Sequence, residues 1–163
     1  MKTVQELHEY WCNPDNENKP EGYAKPIERS EYLLNLIKKY AKPDDEILEL
    51  GCNIGRNLHC LYNAGFKNLS GVEISASAIE QMMVLYPELA NLSVYNDAIE
   101  NIIKELEDSR YGIVFAMAVL SSSDIYLSLY RVSITLMCGC LFFISSFSRL
   151  AIARTTFFSF ILL

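Results

Sequence analysis

One stretch, residues 46–74, constrains the fold more than any other part of the chain. A short apolar run, Ile47–Leu50, ends at Gly51, and a second glycine follows at Gly55. A segment with helical periodicity comes next, and then a second, mainly apolar run that contains a single acid, Glu73. A strand, a glycine turn, a helix and a second strand that ends near an acid form the plan of a nucleotide-binding βαβ unit.

The rest of the first 120 residues extends this alternation. Apolar residues recur at helical spacing, and short apolar runs lie between these segments. We predict helices at 27–41, 56–64, 76–86 and 98–108, and strands at 47–50, 69–74, 92–95 and 113–119. About four strands alternating with helices predict an α/β fold, an incomplete Rossmann-like doubly wound parallel sheet.

The N-terminal residues have a different composition. Prolines and asparagines are interleaved with aromatic residues such as Trp11 and Tyr23, and this density favours turns over a long helix. We predict an irregular arm that either folds over a ligand cleft or packs its aromatic rings on the domain. The predicted organisation is an arm at 1–26, a partial nucleotide-binding domain at 27–120 and an atypical apolar tail at 121–163.

The turn after the first predicted strand indicates the class of nucleotide. In the dinucleotide turn Gly-x-Gly-x-x-Gly, the middle glycine lets the backbone approach a pyrophosphate. Here Asn53 takes the middle position between Gly51 and Gly55. Asparagine tolerates a left-handed backbone, but its side chain stands where a pyrophosphate would press. The turn therefore predicts a nucleoside ligand without a diphosphate, such as an S-adenosyl sulfonium compound.

Three acids lie at the carboxyl ends of successive predicted strands: Glu49, Glu73 and Asp97. Because the carboxyl ends of parallel strands meet at one edge of a sheet, these acids are expected to converge on one crevice. There Glu49 can face an ammonium group, Glu73 can accept both ribose hydroxyls, and Asp97 can reach an adenine amine. An acid after a strand is also commonly a helix cap, and for Asp97 both interpretations stay open.

These motifs together resemble those of the class I S-adenosylmethionine-dependent methyltransferases. The resemblance rests on Ile47–Asn57, Gly71–Ser75 and Asn96–Ala98, and it covers about 25–120. It implies a methyltransferase that binds S-adenosyl-L-methionine as its cofactor. The predicted cofactor-binding residues are Glu49, Gly51, Cys52, Asn53, Gly55, Glu73, Ile74, Asp97, Ala98 and Met117. No catalytic residue is assigned, because the segment that would supply a general base lies beyond Leu120.

Two other function classes stay open. A non-catalytic or membrane-attached nucleotide-binding remnant would share these motifs without an acceptor site. An NAD-dependent oxidoreductase would share the βαβ unit, although Asn53 counts against it. The methyl acceptor is not identified, and a small molecule is favoured. The formal net charge of −6 gives no support to nucleic-acid binding through a general basic surface.

Cysteine and histidine usage limits the metal chemistry and the compartment. The chain has five cysteines, none in a Cys-x-x-Cys pair, and two histidines. We therefore expect neither a metal site nor a disulfide framework. The charged N-terminus is not followed by an apolar segment, so we expect no signal peptide. Free thiols fit a reducing compartment, and the cytoplasm is the predicted location.

The composition changes abruptly in the tail. Residues 112–163 hold only four charged side chains, and 132–148 holds none. Three interpretations follow: a membrane helix at 132–148 that would attach the chain to a membrane, the buried remainder of the sheet domain, or the product of a truncated or shifted reading frame. The third is favoured because lysine and glutamate disappear inside a recognisable fold. A segment of 17 residues is also at the lower limit for spanning a bilayer.

Overall fold

The computed structural model describes residues 3–15, 19–25, 27–106 and 110–117, together with the backbone of two short strands in the tail. The helices are α1 (Val4–Cys12), α2 (Glu28–Tyr40), α3 (Arg56–Asn63), α4 (Ala76–Leu85) and α5 (Ile99–Glu105). The strands are β1 (Ile47–Leu50), β2 (Leu69–Val72), β3 (Ser93–Tyr95), β4 (Ile113–Ala116), β5 (Thr135–Met137) and β6 (Phe142–Ile144). Two 3-10 turns lie at Pro20–Ala24 and Pro87–Leu89.

The first four strands form one parallel sheet in the order β3-β2-β1-β4. Leu48 of β1 is in register with Ser70 of β2 on one side and with Val114 of β4 on the other. The chain runs outward from β1 to β3 and then crosses back to place β4 beside β1, so the strand order reverses there. Open α/β sheets bind ligands at the carboxyl ends of the strands beside such a reversal. The predicted four-stranded, Rossmann-like parallel sheet is confirmed.

Alternate residues of the strands pack against opposite helical layers. Ile47 and Phe115 belong to a buried cluster that includes side chains of α2, α3 and α4, whereas Leu48 and Val114 belong to a second cluster with α5. All residues of β1 and β4 are buried, as expected for parallel strands covered on both faces. A one-residue slip of β1 would exchange its two faces. The packing of both layers therefore fixes the side to which Glu49 points.

The prediction of an irregular N-terminal arm is wrong for residues 4–12, which form α1. A capping box starts this helix: Thr3 Oγ1 accepts a hydrogen bond from the Glu6 N–H, and the Glu6 carboxylate accepts one from the Thr3 N–H. The prolines that argued against a helix all lie after Cys12. They limit the length of α1 but do not disfavour a helix in the residues before them.

Most other boundaries agree with the sequence expectations to within a few residues. The second strand ends at Val72 rather than at Ile74, and the Glu73 side chain after it accepts the N–H groups of Asn53 and Ser75. The fifth helix ends at Glu105, and the fourth strand is described as far as Ala116. The predicted elements also included Leu106 and Met117, which are described but follow the last residues of α5 and β4. The other predicted residues, 107–108 and 118–119, lie outside the described residues.

The tail, 121–163, also lies outside the described residues except for β5 and β6. These two strands pair with each other in antiparallel register as a separate two-stranded sheet. The membrane-helix interpretation of 132–148 therefore falls mainly on residues that are not described, and the two described segments inside it are strands. Within the described part of the chain, no helix has both the length and the apolar character needed to cross a bilayer.

Candidate functional site

A cavity of about 210 Å³ lies at the carboxyl ends of the central strands. Of the ten predicted cofactor-binding residues, eight line it: Glu49, Gly51, Cys52, Asn53, Glu73, Ile74, Ala98 and Met117. The other two, Gly55 and Asp97, lie close in sequence to the wall but serve the surrounding structure. The residues that the βαβ pattern singled out are thus brought together largely around one space.

The turn after β1 has an unusual backbone. Gly51, Asn53 and Gly55 have φ angles of 71°, 49° and 73°, so Asn53 adopts the left-handed conformation that asparagine tolerates. A Cβ atom on Gly55 would lie 2.7 Å from Met82 Cγ. Gly55 therefore lets α3 begin in close contact with α4, and this accounts for its conformation without a ligand contact.

The N–H groups of the turn are all used inside the protein. The five groups from Gly51 to Gly55 each donate a hydrogen bond. Their acceptors, in chain order, are the Val72 carbonyl oxygen twice (2.8 and 3.0 Å), Glu73 Oε2 (2.8 Å), Asn53 Oδ1 (2.8 Å) and the Cys52 carbonyl oxygen (2.9 Å). A dinucleotide turn binds pyrophosphate through backbone groups of this kind. Here none of the five is left to do so, partly because the Asn53 side chain itself takes the Ile54 N–H.

Glu73 is buried behind the turn and links it to the loop after β2. Its Oε2 accepts the Asn53 N–H at 2.8 Å, and its Oε1 accepts the Ser75 N–H at 2.8 Å. Burial raises the pKa of Glu73, and these backbone hydrogen bonds oppose the rise. Each carboxylate oxygen has a second lone pair, so Glu73 can still accept hydrogen bonds from two adjacent hydroxyl groups.

Glu49 is also buried, but only one of its oxygens is satisfied. Glu49 Oε1 accepts a hydrogen bond of 2.6 Å from Asn57 Nδ2, whereas Oε2 has no partner in the described part of the chain. Burial raises the pKa of Glu49 to about 8, although the Asn57 hydrogen bond and the nearby Arg56 lower it. A buried carboxyl group with an unpaired oxygen beside a cavity is suited to a cationic ligand group, which would supply the missing partner.

Asp97 precedes Ala98, the N-cap residue of α5, and no side chain caps this helix. Its exposed carboxylate accepts hydrogen bonds from the Ala98 N–H at 2.6 Å and from Asn101 Nδ2 at 2.9 Å. These hydrogen bonds, that of Asn101 first, lower the pKa of Asp97. The carboxylate thereby links the residue before α5 to Asn101 within the helix, and the neighbouring Ala98 is one of the residues that line the cavity.

One wall of the cavity comes from α1, to which the sequence analysis assigned no site residue. Four residues of this helix, at helical spacing, line the cavity: Val4, Leu7, His8 and Trp11. Tyr23, from the following 3-10 turn, also lines it. The spacing i, i+3, i+4, i+7 describes one face of a helix and was available in the sequence. Of the two alternatives for the arm, the structure therefore favours the one in which it covers a cleft.

Side-chain contacts join α1 to the sheet domain. His8 Nε2 lies 2.7 Å from Glu100 Oε1 on α5, and Cys12 Sγ lies 3.8 Å from the Ile74 carbonyl oxygen. On the opposite wall, Asn57 Nδ2 lies 3.5 Å from Met117 Sδ. Within the residues described, no three His, Cys, Asp or Glu side chains form a group that could bind a metal ion.

Comparison with known proteins points to one class. No family model matches the chain. It is similar to the mRNA cap guanine-N(7) methyltransferase of Saccharomyces cerevisiae, with 40% identity over 57 residues, which are 35% of this chain and 13% of that protein. It is also similar to the eEF1A lysine and N-terminal methyltransferase homolog of Drosophila melanogaster, with 38% identity over 53 residues, which are 32% of this chain and 8% of that protein. The chain thus matches only a small part of the length of these relatives.

Solved structures of methyltransferases are similar to this chain in fold. The magnesium protoporphyrin IX methyltransferase of Synechocystis with bound SAM superposes with a TM-score of 0.59 and 11% identity over 78% of this chain and 68% of that one. A SAM-dependent methyltransferase from Archaeoglobus fulgidus gives a TM-score of 0.53 and 19% identity over 69% of this chain and 48% of that one. The chain has the Rossmann-like fold of the SAM-dependent methyltransferases, and the resemblance seen in its motifs is confirmed.

Proposed function

We propose that this chain is the S-adenosylmethionine-binding domain of a methyltransferase. The observation that carries the proposal is the combination of groups around one cavity. Glu73, a carboxylate that can accept a diol, and Glu49, whose Oε2 has no partner in the described part of the chain, lie beside a turn whose N–H groups are all occupied. S-adenosylmethionine carries a ribose diol and an ammonium group, and it has no phosphate.

Each predicted residue has a place in this proposal. Glu73 accepts the two ribose hydroxyls, and Glu49 binds the ammonium group of the methionine tail. The backbone of Gly51, Cys52 and Asn53 packs against the tail. The remaining wall residues are Ile74 and Ala98 beside the adenine, with Met117 near the sulfonium, while Gly55 and Asp97 act indirectly by holding the turn and α5.

The proposed reaction requires little covalent participation by the protein. A lone pair of the acceptor attacks the methyl carbon, and the carbon–sulfur bond breaks with its electron pair passing to sulfur. The products are the methylated acceptor and S-adenosylhomocysteine, a neutral thioether at sulfur. Holding the donor and the acceptor in line accounts for most of the rate enhancement in such a step. The protein therefore contributes mainly by fixing the nucleoside and the tail.

We propose a small molecule as the acceptor and the cytoplasm as the location. Coverage of the cavity by α1 and the net charge of −6 support a small acceptor over a nucleic acid. The free thiols of Cys12, Cys52 and Cys60 support a reducing compartment. The domain boundaries at 27 and 120 remain our proposal, with α1 of the arm included in the site.

Glu73→Ala tests the ribose contact. Loss of two hydrogen bonds to a charged group is expected to weaken the binding of S-adenosylhomocysteine by about 10–100-fold, measured by isothermal titration calorimetry. The 2′,3′-dideoxy analogue of the ligand lacks both hydroxyls, so its affinity is expected to change much less. Glu80→Ala, which removes an exposed acid on α4, is the matched control and is expected to bind like the unchanged chain.

The ligand pair separates a lost contact from a damaged fold. Glu73 also accepts hydrogen bonds from two N–H groups. The alanine variant should therefore melt at a lower temperature and bind both ligands somewhat more weakly. If the affinity for the ribose ligand and the affinity for the dideoxy ligand fall equally, Glu73 does not bind the ribose hydroxyls. Transfer of a labelled methyl group to a small-molecule extract, with no transfer in the absence of protein, would distinguish an enzyme from a non-catalytic binding domain.

A further inference from the structure

A network of polar contacts runs from Glu49 to α2, and two of its members, Asn57 and Arg56, also line the cavity. Asn57 on α3 donates to Glu49 through Nδ2 at 2.6 Å, and Asn57 Oδ1 accepts a hydrogen bond of 2.7 Å from Ser30 Oγ on α2. Ser30 Oγ in turn accepts from Arg56 Nε at 2.9 Å. Ser30, Asn57 and Glu49 are 1%, 7% and 1% exposed, so these contacts form away from solvent.

Arg56 sets the direction of the hydrogen bonds in this network. A guanidinium group can only donate, so Ser30 Oγ must accept from Arg56 and use its own hydrogen toward Asn57 Oδ1. The Asn57 amide is then oriented with its NH₂ group toward Glu49. One hydrogen of this group points at Glu49 Oε1, and the same nitrogen lies 3.5 Å from Met117 Sδ. The network therefore presents a donor to Glu49, which favours its carboxylate form.

The network satisfies one oxygen of Glu49 and leaves the other without a partner. Glu49 Oε1 is held by Asn57, and Oε2 has no hydrogen bond in the described part of the chain. Because Asn57 and the packing of β1 restrict the side chain, Oε2 keeps one direction relative to the cavity that Glu49 lines. A carboxylate held by a donor on one side binds a cation on the other with little reorganisation.

We infer that Asn57 and Ser30, together with Arg56, are positioning residues that orient Glu49 and thereby select ligands that carry an ammonium tail. This inference rests on the proposed function and extends it from the ligand contact to the residues behind it. Arg56 Nη1 also donates to the Tyr23 carbonyl oxygen at 3.0 Å. The same network therefore joins the tail-binding carboxylate to the N-terminal segment that covers the cavity.

The test compares two ligands that differ in the amino acid tail, whose ammonium group Glu49 would bind. S-adenosylhomocysteine carries the amino acid tail, and 5′-methylthioadenosine keeps the nucleoside but lacks the tail. Calorimetric titration of the full chain is expected to show a preference for S-adenosylhomocysteine. Asn57→Leu is expected to reduce this preference about tenfold or more, with the affinity for 5′-methylthioadenosine changed less than about threefold. Ser30→Ala is expected to reduce it by a smaller factor, about threefold.

Asn63→Leu is the matched control, because Asn63 is exposed on the same helix and lies outside the cavity wall. It is expected to keep the full preference. Equal weakening of both ligands by Asn57→Leu would show that the network only joins α2, α3 and β1, and would overturn the inference. If Asn57→Leu does not fold, Ser30→Ala decides in the same way, because it removes a single hydroxyl group.

Failure of the inference can be told apart from failure of the proposed function. If the unchanged protein binds S-adenosylhomocysteine and the variants keep the preference for it, only the positioning role is overturned. An unchanged chain that binds neither ligand overturns the proposed function and this inference together. Melting curves of every variant show whether a loss of binding comes from a loss of folded protein.

Discussion

At the scale of single residues, the site depends on which hydrogen bonds the oxygens of two buried acids accept. Both oxygens of Glu73 accept backbone N–H groups, while Glu49 has one oxygen without a partner. Burial is the main reason that the pKa of each group is raised, and for Glu49 it reaches about 8. The two acids therefore differ in what they need from a ligand. Glu73 can bind ligand hydroxyl groups that donate to the remaining lone pairs of its oxygens. Glu49 can bind a cationic ligand group at its unpaired oxygen.

This difference predicts a pH-dependent affinity for ligands with an ammonium tail. In the empty site Glu49 is mainly protonated below pH 8. Binding of an ammonium group requires the carboxylate, so binding releases a proton, and affinity rises with pH up to that value. We expect the affinity for S-adenosylhomocysteine to rise up to about tenfold per unit between pH 6 and pH 7.5, measured by calorimetry in buffers of different ionisation heat.

Two comparisons isolate the contribution of Glu49 to this pH dependence. Because 5′-methylthioadenosine lacks the ammonium group, its affinity reports the titration of Glu73 and other groups without that of Glu49. Glu49→Gln cannot titrate, so in that variant the two ligands should show the same pH dependence. A difference between the two ligands that persists in Glu49→Gln would mean that another group binds the tail.

At the scale of secondary-structure elements, α1 is the part of the site that is added to the sheet domain. Its cavity-facing residues are held by contacts of His8 with Glu100 and of Cys12 with the Ile74 carbonyl oxygen. The 3-10 turn that follows is fastened by Arg56 to the network behind Glu49. The element thus closes one side of the cavity without contributing a strand or a layer of the core.

Trp11→Ala is expected to speed the release of ligand. Trp11 is the largest side chain on the cavity face of α1, and removing it opens the wall and removes apolar contact area. We expect the dissociation rate of S-adenosylhomocysteine to rise about 5–30-fold, with a smaller change in the association rate, measured with radiolabelled ligand by rapid filtration. Tyr40→Ala, at an exposed aromatic on α2, should leave both rates unchanged. Unchanged release from Trp11→Ala would mean that α1 does not cover the bound ligand.

The elements differ in how far local sequence predicts them. The first strand was predicted with the bounds that the structure shows, because a buried parallel strand reads as an apolar run that ends at glycine. The first helix differs from the predicted irregular arm because the prolines that disfavour a helix all lie after Cys12. Thr3 and Glu6 carry a capping-box signature that was present in the sequence and points to a helix.

The site shows the same contrast between local and distant information. The left-handed backbone of Asn53 follows from its residue type and its position in the turn, and the structure agrees with that expectation. The role of Ser30 could not be predicted, because it arises from a contact with Asn57 across 27 positions of sequence. A serine inside an amphipathic helix gives no local sign that it faces another polar side chain.

At the scale of the whole molecule, the strand order decides where the site lies. The return of the chain from β3 to the other side of β1 creates the reversal at which Glu49 and Met117 meet. The two buried clusters, one on each face of the sheet, hold these strands in register. The reading-frame interpretation of the tail concerns residues outside the described part of the chain, and the site described here does not depend on it.

We propose that this fold binds a nucleoside with a cationic tail and that its turn has no N–H group free to bind a pyrophosphate. The most direct test is calorimetric titration of the full chain with S-adenosylhomocysteine and, in parallel, with NAD. We predict saturable binding of one S-adenosylhomocysteine per chain and no heat of binding with NAD at the same concentrations. Binding of NAD without binding of S-adenosylhomocysteine would contradict the account.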